Sequence, residues 1–539
     1  MKVSIWFSWP AWSWVNTSGM FLWQLLSAKW YNILADKEYA SIIKGDNNNF
    51  FLYISDQDEH RVSNQIDYFF AYDDLAISKN EKIYWLKNKF NIKTEQCKYK
   101  NTFAFWWALK IFWIDISQWE EMLKKTFKEE SLETNLIDLK AGYEYIEKNC
   151  GDACSIINFS KKIWDAKKFM FGNEIIWEWA IASWMDFYSA YPMTPASSLI
   201  DVIAPKKEAT FFQWEDEIAV SMAMLGAKFA WKRAACGTSG GWFALMTESI
   251  AFSHQAELWG LYILSQRDGP STWTPTYTWQ SDLNYALNAS FWDTKPIILA
   301  PSTYEDGYNL IWKALNRSDI YQHPVIFLVD KQYSESYLSI SEKNLKAEPI
   351  NRGKLITEAP EWFKRYEFTQ DGISPYSIPG VENWEFNATS YEHDEYWATN
   401  ETVEIKEKMT LKKFKKLDTF VSQEFNETFY GYEIINPEAS QFFITFGFTS
   451  YNLKEFIKLN PNHGIIVIKV LQPFDKRLKT RLHDNEKRIE NLTFVEMNFT
   501  WQLEDLVKKE CNLNSDKREK KIKNIRKYTL FPIFMEELN

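Results

Sequence analysis

Short apolar runs and amphipathic stretches alternate along most of the chain. The runs DFYSAYP, RAACGTS, LYILSQ, KPIILAP and PVIFLVD are too continuously apolar or small to be strands with one wet face. Strands covered on both faces read this way, and they belong to parallel sheets flanked by helices. Between them, FQWEDEIAVSMAMLGAKFA and WFALMTESIAFSHQ carry apolar and small residues at helical spacing. This alternation predicts an α/β unit over 165–345. Another is expected over 1–160, closed by a polar helix from Trp119 to Lys148. Over 346–436 the chain turns charged and irregular, with SPYSIPG, YEHDEYWATN and the basic helix TLKKFKKLDTF, and reads as a connector. The alternation resumes over 437–539 with FFITFGFTS, the helix SYNLKEFIKL and the strand GIIVIKVL, and the basic tail SDKREKKIKNIRKYTLFP is expected to be a solvated helix. The fold class is α/β, in several parallel-sheet domains.

Composition disturbs this picture in one place. The 539 residues include 27 Trp and only 18 Gly, where Gly ordinarily makes up about 7% of a chain. Trp6, Trp9, Trp12 and Trp14 crowd together beside Pro10, a density that no strand or helix can bury on one side. With glycine at each, the segment becomes a strand, a glycine-rich turn and a helix. Such a turn is able to cradle an anion at the helix N-terminus, although a plain structural turn has the same sequence. Trp177, Trp179, Trp184, Trp231 and Trp273 likewise sit among small residues or in turns. A genetic code that reads UGA as glycine, translated with the standard table, prints Trp at such positions, and glycine is expected there in natively made protein. Indoles at Trp214, Trp273 and the N-terminal loop would then crowd any site nearby. Taken literally, the Trp content instead implies a protein whose indoles stack on sugars or bases, which requires Trp along exposed strand faces.

Charge and cysteine narrow the classes. The formal net charge of −10 argues against nucleic acid or an anionic membrane as partner. The cysteines, at 97, 150, 154, 236 and 511, include no CxxC pair, which speaks against an iron-sulfur or zinc site on this chain and for a reducing, cytoplasmic setting. No run reaches the roughly 20 apolar residues of a membrane span. The six His show no metal or triad spacing, and His393 in EHDE reads as part of a polar connector more than as a ligand.

Three segments carry chemistry. Tyr191-Pro192-Met193-Thr194-Pro195 ends a strand, and its prolines fix the backbone around a Thr hydroxyl at the carboxyl edge of a parallel sheet, where ligands bind in α/β proteins. Glu215, Asp216 and Glu217 open a helix that is otherwise apolar. Acidic residues there complement the helix dipole, or supply a half-buried carboxylate of raised pKa. Gln266-Arg267-Asp268-Gly269-Pro270-Ser271-Thr272 follows the strand LYILS, and Arg in such a place captures a carboxylate or makes an ordinary ion pair.

With glycine at Trp177, Trp179, Trp184, Trp214, Trp231, Trp242, Trp273 and Trp279, the runs GNEIIWEWAIASWMDFYSAYPMTPASSLID, FQWEDEIAVSMAMLGAKFAWKRAACGTSGGWFALMTESI, QRDGPSTWTPTYTWQSDL and YEHDEYWATN closely resemble the alpha subunit of 2-oxoacid:ferredoxin oxidoreductases with a fused gamma domain. The resemblance implies a gamma-type domain over 1–160, a pyrimidine-type thiamine diphosphate domain over 165–345 and a transketolase C-terminal-like domain over 437–539. It implies oxidative decarboxylation of 2-oxoglutarate or pyruvate, with coenzyme A taking the acyl group and ferredoxin the electrons. Indolepyruvate and branched-chain 2-oxoacids are the alternative substrates. Thr194 and Arg267 match positions that hold the 2-oxoacid carboxylate, with Tyr191, Pro192, Pro195, Ser271 and Thr272 around them. Glu215 matches the glutamate on the cofactor's aminopyrimidine ring, and Thr238 and Ser239 fall in the cofactor-binding segment. The chain has no GDG followed by Asn and no cysteine set for a cluster, so Mg2+ and [4Fe-4S] are expected on a beta subunit, in an assembly of two alpha and two beta chains. Gly241 and Tyr277 depart from the family pattern, where Pro and a basic residue are usual.

Overall fold

The computed structural model describes residues 2–10, 22–23, 26, 31–39, 47–56, 63–71, 74–91, 112 and 116–149, and from 167 onward all but 273, 291–292, 294, 342–344, 346, 514–520 and 539. The loop carrying Trp12 and Trp14, Trp273, and Cys97, Cys150 and Cys154 lie outside the described residues. The chain divides into two compact units, Met1–Phe171 with Glu335–Lys343 and Phe534–Asn539, and Gly172–Ser334 with Asn344–Ile533.

The first unit is built on a mixed sheet in the order Trp85–Asn91, Gln65–Ala71, Lys2–Pro10, Asn47–Ser55, Asn32–Glu38, Tyr337–Ser341 and Lys167–Phe171. Lys2–Pro10 pairs parallel with Gln65–Ala71 and antiparallel with Asn47–Ser55. Tyr337–Ser341, inside the 165–345 stretch, thus belongs to this sheet, pairing antiparallel with Asn32–Glu38 and Lys167–Phe171. The polar stretch from Trp119 to Lys148 forms two helices, Ile116–Thr126 and Glu129–Asn149.

The second unit holds two sheets. One has the order Val470–Gln472, Ile297–Leu299, Val325–Asp330, Leu261–Gln266, Ala234–Ser239, Phe187–Ala190 and Thr210–Gln213, parallel except for its first edge strand. Leu261–Gln266 and Val325–Asp330 are buried at every position, as strands covered by helices on both faces must be. Close packing dictates the small residues beside them. A Cβ on Gly237 would lie 2.4 Å from the Tyr188 hydroxyl. The other sheet, Tyr432–Ile435, His463–Ile468, Gln441–Phe446, Asn491–Glu496 and Ile522–Arg526, is parallel beyond its antiparallel first strand.

Ile522–Arg526 corrects the expectation for the basic tail. It is a strand, because Ile522 and Ile525 are partly buried where backbone pairing with Asn491–Glu496 is available. Tertiary pairing overrides the helical appearance of a lysine-rich segment.

Within 346–436, the helix Val403–Glu424 carries Lys412 and Lys416 against Glu257, with Arg365 close by. Burial alone would raise the Glu257 pKa, and these cations hold it well below the usual carboxylate range. Replacing Glu257 by Gln strands two buried ammonium groups, so the unit is expected to lose about 3–5 kcal/mol, read as a lower thermal unfolding midpoint.

Five Trp residues among those described adopt backbone conformations that belong to glycine. Trp184, Trp231, Trp362, Trp397 and Trp501 have φ between 55° and 74°, the left-handed region that side chains with a Cβ avoid. At the end of helix Gly172–Ala182, Trp184 N–H donates to Ile181 O and Met185 N–H to Ala180 O. After helix Glu217–Phe229, Trp231 N–H donates to Lys228 O and Lys232 N–H to Ala227 O. Both are Schellman closures with Trp at the position glycine usually fills. The indole N–H groups of Trp6, Trp177, Trp179 and Trp312 are sealed from solvent with no hydrogen-bond partner, whereas Trp259 donates to Asp319 at 2.7 Å.

Candidate functional site

The chemistry-bearing segments converge at the carboxyl edge of the larger parallel sheet. Phe187–Ala190 runs into Tyr191-Pro192-Met193-Thr194-Pro195, Ala234–Ser239 into Gly240, and Leu261–Gln266 into Arg267. Arg267 is buried, at 3% exposure. Its Nη1 donates to Thr194 O at 2.8 Å and lies 3.2 Å from Met193 Sδ, while Nε and Nη2 are buried without a partner. Ser239 ties the same loop down, since its hydroxyl accepts from Ala196 N–H and donates to Met193 O, both at 3.3 Å. Gly240 passes Arg267 with φ at +51°, and a Cβ there would sit 3.5 Å from Arg267 Nε. The strand ends therefore hold a guanidinium in place with two of its donors unpartnered, a geometry whose chemistry suits a carboxylate.

The three acidic residues at the helix start separate into three roles. Glu215 is exposed. Asp216 caps the helix, its Oδ1 accepting from Ala219 N–H at 2.8 Å. Glu217 is the first helical residue and is buried, at 2% exposure, with Thr238 Oγ1 3.4 Å from its Oε1. Burial raises the Glu217 pKa against the opposing hydrogen bonds from its own backbone and Thr238. Glu215, the residue expected at the cofactor's ring, is thus the exposed member of the three. Glu217 starts the buried stripe that continues through Val220, Ser221, Met224, Leu225 and Lys228, so the inward-facing carboxylate is Glu217. That i, i+3, i+4, i+7 pattern was the available sequence signal.

The other expected residues take varied places. Tyr191, Met193 and Thr194 are half-buried, Pro195 is buried and Pro192 exposed. Ser271 and Thr272 are exposed at the rim, Ser271 with φ at 55°. Trp214 stacks on Phe212 at the surface, ring centroids 5.4 Å apart. On the outward face of the Glu217 helix, Ile218 and Met222 are 53% and 42% exposed, and Leu245 is exposed nearby across the same groove. His393 is buried, its ring against Tyr366 at 3.8 Å and its Nδ1 3.1 Å from Asp394 O. Among the described residues no group of His, Cys, Asp and Glu is arranged to hold a metal, and no helix is long and apolar enough to cross a membrane.

Residues 178–411 match the family described as pyruvate flavodoxin/ferredoxin oxidoreductase, thiamine diphosphate-binding. The alpha subunit of 2-oxoacid:ferredoxin oxidoreductase 2 from Aeropyrum pernix is 29% identical over 415 residues, 72% of this chain and 63% of that protein. The alpha subunit of 2-oxoacid:ferredoxin oxidoreductase 1 from Sulfurisphaera tokodaii is 30% identical over 433 residues, 76% of this chain and 66% of that one. The chain thus spans slightly less than two thirds of the length of these curated relatives. The solved 2-oxoglutarate:ferredoxin oxidoreductase of Magnetococcus marinus, with 2-oxoglutarate, coenzyme A and succinyl-CoA bound, shares the fold with a TM-score of 0.86 at 24% identity, covering 99% of this chain and 97% of that one. Glycine-favouring turns at the Trp positions, a buried arginine at the sheet edge and these relatives do not fit a Trp-lined sugar- or base-binding protein; the chain belongs to the family of 2-oxoacid:ferredoxin oxidoreductase alpha subunits.

Proposed function

We propose that this chain is the alpha subunit of an enzyme that oxidatively decarboxylates a 2-oxoacid, 2-oxoglutarate or pyruvate, with coenzyme A as acyl acceptor and ferredoxin as electron acceptor. The observation that carries the reading is Arg267, a buried guanidinium with two unpartnered N–H donors beside Thr194. A 2-oxoacid carboxylate satisfies both donors and relieves the cost of burying them empty. Thr194, on the neighbouring loop whose carbonyl receives Arg267 Nη1, lines the same site.

The residues also fit thiamine diphosphate. A buried carboxyl of raised pKa, Glu217, stands at a helix start, met by its own backbone and by a long contact from Thr238. Thiamine diphosphate supplies, when bound, the nucleophilic carbon and the electron sink for loss of CO2. Glu217 holds or passes a proton at a ring nitrogen, a task that its burial, by raising its pKa, favours. The helix around it excludes water on the buried side, and Thr238 and Ser239 fix the adjoining backbone.

The remaining parts belong to a partner in this reading. Mg2+ and an iron-sulfur cluster reside on a beta subunit, and the apolar surface of Ile218, Met222 and Leu245 is where that subunit covers the site. The protein works in the cytoplasm. Arg267→Lys, assembled with the beta subunit, is expected to raise the KM for the 2-oxoacid by about 10- to 100-fold, because an ammonium cannot reproduce the two-donor contact. Unchanged 2-oxoacid KM in steady-state acceptor reduction rejects the carboxylate clamp.

A further inference from the structure

Asp282 lies beyond the same strand end and has no part in the site as described so far. It precedes the short helix Leu283–Leu287 and caps nothing, because its side chain makes no cap hydrogen bond. Its backbone N–H donates to Gln266 Oε1 at 3.2 Å, which fixes it beside the strand that delivers Arg267. Its Oδ2 is sealed from solvent with no hydrogen-bond partner, as are Nε and Nη2 of Arg267. The two charges act on each other electrostatically, without an ion pair between them. A buried acceptor and two buried donors left open on neighbouring, electrostatically coupled side chains at one strand end are an arrangement that calls for a partner.

We propose that Asp282 sets the charge of the 2-oxoacid carboxylate site, taking up a proton when the substrate carboxylate pairs with Arg267. The inference rests on the functional reading above and adds a residue and a proton to it. Ionised Asp282 opposes an incoming anion and offsets the charge of Arg267, so the clamp is strongest when Asp282 is neutral. Burial, only partly countered by Arg267, pushes the Asp282 carboxyl up to about 7. Near neutral pH a substantial fraction is therefore ionised in the empty site. A bound carboxylate engages Arg267, removes its stabilising effect on the Asp282 anion and adds a negative charge nearby. Both changes raise the Asp282 pKa further, and the proton comes from solvent.

The surroundings contain little else that competes. Tyr285, on the same helix, has its own pKa raised by burial and by Asp282 and stays neutral. Asp268, adjacent to Arg267, is engaged by Gly269 N–H and the Thr274 hydroxyl. The helix Gln502–Cys511, packed against this turn, offers the uncharged Gln502, which accepts from Asn284 N–H.

The sign follows from linkage. Below the empty-site pKa Asp282 is already protonated, and affinity does not depend on it. Above, each pH unit lowers 2-oxoacid affinity by up to tenfold, until the pKa of the bound state is passed. The test is calorimetric titration of 2-oxoglutarate and of pyruvate into the assembled enzyme, at pH 6, 7 and 8, in buffers of differing ionisation enthalpy. The wild type is expected to take up a fraction of a proton at pH 7 and more at pH 8, with affinity falling over that interval. Asp282→Asn, which keeps the shape and removes no cap, is expected to bind without proton uptake and with affinity flat across this range. Proton uptake and pH dependence unchanged in Asp282→Asn overturn the inference alone. Failure of the wild type to bind either 2-oxoacid overturns the functional reading and this inference with it.

Discussion

Glu217→Gln is expected to lower the proposed 2-oxoacid-dependent reduction of a one-electron acceptor by about 10²–10⁴-fold, the range in which a positioned acid-base group contributes, while the KM for the 2-oxoacid is expected to change little. The split follows from the geometry. The proposed carboxylate clamp, Arg267, is held by Thr194 O at 2.8 Å, and Gln at 217 leaves that contact intact. What Gln removes is a titrating group at a buried position where Thr238 is the neighbouring hydroxyl. Folding is expected to survive, because Glu217 has a raised pKa and forms no ion pair in the structure, so an isosteric amide strands no buried counter-charge. Glu215→Gln is the control. Its side chain is exposed, and a substitution there is within about 0.5 kcal/mol of neutral. Equal losses in the two variants, or full activity in Glu217→Gln, reject the assignment.

This pair of glutamates also shows how far the sequence was legible. The parallel strands and the helix behind the site were readable from runs and spacing, because burial on both faces leaves a continuous apolar signature. YPMTP and QRDGPST were readable as strand-end loops, and the structure joins them through Arg267 and Thr194. The choice between Glu215 and Glu217 depends on where the helix begins, and Asp216 decides that by capping it; the buried face then starts one residue later. Asp282 was invisible because its importance comes from a neighbour fifteen positions earlier, brought close by the turn after the strand. The tail around Ile522 was misread because its pairing partner is distant in sequence. Tyr337–Ser341 joins the first unit's sheet by pairing with Asn32–Glu38 and Lys167–Phe171, contacts to which local apolar pattern gives no clue.

Gly in place of Trp at positions 184, 231, 362, 397 and 501 is expected to stabilise the chain, against the usual rule that trimming a large side chain to hydrogen destabilises. Each of these residues holds a left-handed backbone, which costs a residue with a Cβ about 1–2 kcal/mol. Little burial is lost in exchange at Trp184 and Trp362, which are 66% and 80% exposed, and more at Trp231 and Trp501, which are 41% and 43% exposed. The cation-π contacts of Trp231 with Arg352 and Trp501 with Arg526 return about 0.5–1 kcal/mol each at exposed sites, less than the strain. Strain relief exceeds these losses most clearly at the well-exposed Trp184 and Trp362, and the net effect is read as a rise in the thermal unfolding midpoint of the five-site variant over the chain with Trp. Trp184 should contribute most, because it is 66% exposed and Gly at C′ completes a Schellman closure whose hydrogen bonds are already in place. The same reasoning fixes what peptide mass analysis of natively made protein should find. If UGA is read as glycine, peptides spanning 184 and 231 carry glycine and weigh less than the printed sequence by the difference between an indolylmethyl group and hydrogen. Tryptophan at both positions, together with a lower unfolding midpoint in the five-site variant, rejects the glycine reading and makes the left-handed indoles a strain that the native fold sustains.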